Sequence, residues 1–197
     1  MNTFAIRRHG IAATRADIDA ALQRLRDLDR DAARTRWMRS YVLQEADGRF
    51  GTRCVFQAED AAALREHAAA AGMPAEEIVP VADTVLIRPD AAANLYQIRR
   101  PHHWACAADL QAAAAVSRRV GDTEMADKVS WIRTYVVQES DGTLGTVCLY
   151  QGVDAQALRD HAARVGMPAE DIAAVVACVV QREDAPAQPA AAQAATA

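Results

Sequence analysis

Cysteine and histidine recur in this sequence at matched places, and that pairing is its first hint of chemistry. Cys54 and His67 are repeated, at the same spacing, by Cys148 and His161. A thiolate and an imidazole together suit a borderline-soft divalent metal such as nickel, zinc or copper. Two donors per copy make no tight site alone, so further ligands or both copies would be needed. A plainer reading stays open beside this one. A mid-strand cysteine packs as a small hydrophobe, and a histidine at the margin of an apolar stripe is commonly a hydrogen-bonded core residue.

A second set is cationic and aromatic. Arg7-Arg8 and Arg99-Arg100 each close an Ile-Arg-Arg run. Adjacent residues of a strand point to opposite faces, so one arginine of each pair enters the sheet face or the helix layer. A cation there needs a partner, and Glu45 and Glu139 can supply it. Otherwise Arg8 and Arg100 would receive a carboxylate or phosphate in a groove between the copies. Trp37/Trp131 and Tyr41/Tyr135, read as alternating on one strand face, would line that groove or build an interface. His102, His103 and Cys106 form a compact group found in one copy only, with no assigned role. No nucleophile elbow, phosphate loop, dinucleotide fingerprint or paired-CxxC pattern is present, and catalytic residues are expected to be none.

These residues sit in a duplicated frame. Residues 37–81 align with 131–175 without a gap, and 27 of the 45 positions are identical. A match of that kind marks an internal repeat, and a period of about 90 residues is too long for a solenoid unit. Each copy reads as βαββαβ. Phe4 to Arg8 is a strand, and Thr14 with Asp17 opens a helix carrying Ile18, Leu22, Leu25 and Leu28. Arg36 to Glu45 and Thr52 to Phe56 are strands joined through Asp47-Gly48, a hairpin turn. Asp60 caps a second helix that Gly72 and Pro74 stop, and Ile78 to Arg88 is the last strand. In the second copy that helix runs from Asp154 to Gly166 and Pro168.

Such an order predicts an α+β fold, with tandem ferredoxin-like domains whose four-stranded antiparallel sheets carry both helices on one face. The bare faces then pack together as an internal pseudo-dimer of the dimeric α/β-barrel kind. The expected division is repeat 1 at 1–88, a linker at 89–93, repeat 2 at 94–183 and a disordered Ala/Pro/Gln tail at 184–197.

Composition narrows the function classes. Alanine supplies 46 of the 197 residues, so large core-forming side chains are scarce and the cores thin. No apolar run reaches membrane-spanning length. A net charge of −4 and a pI near 5.7 argue against nucleic acid. Arg7, Arg8 and His9 stand where a signal peptide needs apolar residues, so the expected location is cytoplasmic, with reduced thiols.

Four motifs recur in order: Trp-x-x-Ser/Thr-Tyr-Val, Cys-x-Phe/Tyr, Leu-Arg-Glu/Asp-His-Ala and Gly-Met-Pro-Ala-Glu-Asp/Glu-Ile. In both copies they resemble the domain of unknown function numbered 4242, also called the nickel-responsive or nickel-binding ferredoxin-like proteins. The resemblance implies a ferredoxin-like fold, assembly through sheet packing and nickel binding in some members. Cys54 and Cys148 match the family's strand cysteine, and His67 and His161 its helix histidine. The family's nickel pattern adds a histidine on the first strand, where this chain has Ile-Arg-Arg. It also has Gly-His-Pro where this chain has Gly-Met-Pro. The first reading is therefore a non-enzymatic binding protein for nickel or another divalent transition metal. Two alternatives remain, a small-anion binder using the arginine pairs and an enzyme of the dimeric α/β-barrel type. The expected partners are repeat against repeat, with room for a homodimer.

Overall fold

The structure, a computed structural model, describes residues 1–73, 75–87 and 94–183. The expected linker, the expected tail and Pro74 lie outside the described residues. The first half contains strands β1 (Asn2–Ala12), β2 (Thr35–Gln44), β3 (Phe50–Ala58) and β4 (Glu77–Leu86). Its helices are α1 (Arg15–Asp29) and α2 (Ala61–Ala70). The second half repeats the order with β5 (Leu95–Trp104), α3 (Ala107–Arg119), β6 (Val129–Gln138), β7 (Leu144–Gly152), α4 (Ala155–Val165) and β8 (Asp171–Val180). A π-helical turn, Val120–Glu124, extends α3.

Local signals set these boundaries. Thr14 and Asp17 form a reciprocal capping box at α1. Asp60 accepts a hydrogen bond from the Ala63 amide at α2, and Asp154 accepts one from Ala157 at α4. Gly48 and Gly142 take φ of +82° and +84° in the two hairpin turns, conformations that favour glycine. Leu28 departs from the expected stripe. Ile18, Leu22, Leu25 and Asp29 lie on one side of a 3.6-residue helix, which rotates Leu28 outward to 37% exposure.

Each half is the expected antiparallel βαββαβ sheet, ordered β4-β1-β3-β2 and β8-β5-β7-β6. The halves meet edge to edge as well as face to face. β2 pairs with β8 and β4 pairs with β6, so all eight strands close into one barrel. Among the described residues closure leaves no open sheet edge, which removes a template for aggregation. Inside the barrel Ala5, Tyr41, Val55, Tyr135, Val137 and Leu149 pack together. Outside it, α1 and α2 cover Phe4, Ile6, Cys54 and Phe56, while Ile98, Cys148 and Tyr150 form the corresponding core of the second half.

One expectation fails on β2. Trp37 and Tyr41 are four residues apart and should share a face. The β2–β3 register slips between Trp37 and Arg39, and the β6–β7 register slips between Trp131 and Arg133. Each slip is a β-bulge, which adds a residue and reverses the alternation. Trp37 and Trp131 therefore lie under the helices, and Tyr41 and Tyr135 lie inside the barrel. They line no common groove.

Candidate functional site

The strand alternation separates the two arginines of each pair. Arg7 and Arg99 point into the barrel, where their guanidiniums bind Glu45 at 2.7 Å and Glu139 at 2.8 Å. Gly51 and Gly145 make room for these pairs. A Cβ on Gly145 would stand 1.8 Å from Glu139 Oε1 and 2.8 Å from the Arg100 carbonyl. Glu77, which the repeat pattern did not single out, ties the halves together. It accepts from Arg53 at 2.6 Å and from Arg99 at 2.9 Å. Burial alone would raise its pKa, but Arg53 and then Arg99 outweigh this and hold it below the usual carboxylate range. Tyr41 and Tyr135 meet across the barrel with their hydroxyl oxygens 3.4 Å apart. The barrel interior thus holds a network of ion pairs within an apolar core, with Arg7 Nε and Gln97 Nε2 left over among the described residues.

Arg8 and Arg100 are on the other side of the wall, beneath the helices. Both are buried, at 0% and 1% exposure. Arg100 Nε donates to the Pro168 carbonyl at 2.8 Å, but its Nη1 and Nη2 make no hydrogen bond. The guanidinium nevertheless stands within hydrogen-bonding reach of the Tyr150 phenol, and acts on it both through that contact and by its charge. Among the described residues none of the three nitrogens of Arg8 finds a hydrogen-bond partner. Opposite them on the neighbouring strand, Thr52 and Thr146 hold buried hydroxyls that are also unpartnered.

The cysteines and histidines share this helix-side layer. Trp37 Nε1 donates to Ser40 at 2.9 Å, and Ser40 donates to Cys54 Sγ at 2.7 Å. Trp131, Thr134 and Cys148 repeat the relay at 2.9 and 3.1 Å. His67 Nδ1 is 3.2 Å from the Thr35 hydroxyl, and His161 Nε2 is 3.1 Å from the Ser117 carbonyl. His161 must donate there, which leaves the lone pair on its unpartnered Nδ1. Burial, chiefly, lowers the pKa of both histidines, and Arg8 and Arg100 respectively lower it further. Both imidazoles are therefore neutral near pH 7.

Does this layer fit nickel? Among the described residues no three His, Cys, Asp or Glu side chains are grouped to hold a metal ion. Each half offers a thiol and an imidazole already engaged in hydrogen bonds, beside a buried guanidinium. A divalent cation would be repelled by that fixed charge in a low-dielectric layer. The residues present do not fit a bare nickel ion.

The second half also holds a small cavity of about 20 Å³. Arg100, Trp104, Ser117, Thr146, Cys148 and Tyr150 are among its walls. Cys106 is exposed at the start of α3, and His102 bonds Asp141 at 2.9 Å on the surface, away from this cavity. The structure thus joins Arg8 with the layer of Cys54 and His67, and Arg100 with that of Cys148 and His161. It separates both groups from Tyr41, Tyr135, Glu45 and Glu139.

A family model described as nickel responsive protein SCO4226-like matches residues 4–81 and 97–175. The chain belongs to this SCO4226-like nickel-responsive family. That membership bears out the nickel-responsive part of the resemblance and places one family unit in each half. No curated protein matches the chain. Among solved structures, a mutant chlorite dismutase from Candidatus Nitrospira defluvii is similar at a TM-score of 0.50 and 7% identity. That match covers 88% of this chain and 90% of the other. A proposed monooxygenase from Lactobacillus acidophilus is similar at a TM-score of 0.49 and 12% identity, covering 96% of this chain and all of its own. At such identities the chlorite dismutase likeness speaks for the shared barrel fold alone. Among the described residues no helix of this SCO4226-like chain is long and apolar enough to cross a membrane.

Proposed function

We propose that this chain is a non-enzymatic binding protein that takes a small anion beneath the helices of its two halves. The observation that carries this reading is the pair of buried arginines. Arg8 has three guanidinium nitrogens without a hydrogen bond and Arg100 has two. Burying a cation without a partner costs several kcal/mol, and an anion bound to those nitrogens would offset the cost. The threonine hydroxyls add donors without competing charge.

The test exploits a change of sign. In buffer free of small anions, replacing Arg8 and Arg100 by Met removes two uncompensated charges, so the variant should melt higher than the parent. Adding sodium formate should raise the melting temperature of the parent only, because a ligand selective for the folded state stabilises it. A formate dependence equal in parent and variant would overturn the reading.

Family membership supports a second, metal-related reading, which would need donors beyond Cys54/His67 and Cys148/His161 because these alone do not fit a bare nickel ion. Calorimetric titration with nickel chloride, against a Cys54→Ser/Cys148→Ser control, separates the two. The anion reading expects no heat that depends on the cysteines. A cysteine-dependent, saturable heat would favour nickel instead.

A further inference from the structure

The two halves differ under their first helices, and the difference singles out a ligand class. α1 and α3 correspond at an offset of 92, shown by their matching N-caps, Thr14 and Cys106. Where α1 inserts Leu22 and Leu25, both buried, α3 places Ala114 and Ser117. Of all α3 residues only Ser117 is buried. On the facing strand, Phe56 of the first half is replaced by Tyr150, whose hydroxyl is 3.1 Å from Ser117 Oγ. The side chains removed from α3 leave the cavity of about 20 Å³, and every polar change beneath it adds a hydroxyl.

We infer that this second-half cavity is a binding site for a compact monovalent anion of one to three heavy atoms, a halide or a triatomic carboxylate-like ion. The inference rests on the anion reading above and narrows it to one half and one size class. Arg100 is 1% exposed, and among the described residues its Nη1 and Nη2 find no hydrogen bond of good geometry, with only the Tyr150 phenol within reach. The unpartnered Thr146 hydroxyl lies beside it on the adjacent strand. No acidic side chain is among the described cavity walls, so nothing there supplies the counter-charge. Burial first, and then Cys148, push the Tyr150 phenol up to about 12, so it keeps its proton and serves as a donor. Trp104 and Trp131 are among its walls.

Size and charge decide the class. About 20 Å³ is open to the centre of a water-sized group, so the cavity admits a compact ion beside Arg100. One guanidinium balances one negative charge, so a monovalent ion is compensated there and a multiply charged phosphate is not.

The experiment uses the full chain carrying Arg8→Met, which leaves the second half as the only candidate site. Melting is followed in sodium gluconate at constant ionic strength, with sodium formate, sodium nitrite or sodium phosphate exchanged in. Formate and nitrite should raise the melting temperature saturably, and phosphate should not. Adding Ser117→Leu, which restores the first-half packing, should abolish the formate shift while the protein stays folded. Ala114→Leu serves as a second closure if Ser117→Leu impairs folding. A formate shift that survives closure, or a phosphate shift as large as formate's, would overturn this inference and leave the broader anion reading standing. No shift in either the parent or the Arg8→Met chain would overturn both.

Discussion

Glu77 shows how much a single side chain can carry in this molecule. It bridges Arg53 of its own half to Arg99 of the other, and in the repeat its counterpart is Asp171 and the counterpart of Arg53 is Val147. Its pKa is depressed in the folded state by these cations despite burial. The stability it contributes is therefore present above the unfolded carboxylate pKa, near 4.3, and is lost as pH falls through the lower folded value. Parent and Glu77→Gln should differ in urea stability at pH 7 and converge in acid. A gap unchanged from pH 7 to pH 2.5 would contradict this role. The histidines act in the same direction over a higher range. Their folded pKa values are lowered by burial, so stability falls as pH drops below about 6.5. His161→Gln should flatten that part of the pH–stability profile, as followed by urea unfolding between pH 7.5 and 5.

At the scale of elements, the strands owe their chemistry to small irregularities. Gly145 on β7 leaves space for the Arg99–Glu139 pair, and a methyl group there would strike both the carboxylate and a backbone carbonyl. Gly142, in the adjacent turn, has nothing within contact distance but holds φ at +84°. Gly145→Ala should cost about 3 kcal/mol, through overpacking and a broken buried pair. Gly142→Ala should cost ~1 kcal/mol, through backbone strain alone. Denaturant unfolding of the two variants checks the order, and equal costs would contradict it. The ion pairs themselves were legible in the sequence, because alternation forces one arginine of each pair inward and Glu45 and Glu139 recur at the same offset. The repeated glycines were visible there too, as Gly51 and Gly145, but only the fold shows what they avoid. The bulges at Trp37 and Trp131 were not legible. Nothing in residue type marks where a strand gains one residue, and that one residue moves the tyrosines to the opposite face from the tryptophans.

For the whole molecule, duplication explains the architecture. Two thin, alanine-rich layers cover each other's sheets and close their edges through β2–β8 and β4–β6. The βαββαβ order and the pseudo-dimer followed from the repeat. The edge-to-edge closure depends on long-range pairing that no local pattern encodes. Divergence between the halves was written in the sequence as Leu22 and Leu25 against Ala114 and Ser117, yet only the packing turns those substitutions into a cavity. The central claim is that Arg100 awaits an anion there. Anomalous diffraction from crystals of the full chain soaked in sodium bromide tests it directly. The account predicts a bromide peak enclosed by the Arg100 guanidinium, the Thr146 hydroxyl and the Tyr150 phenol. Bromide found only on the surface, with Arg100 Nη1 and Nη2 bonded to protein groups, would contradict it.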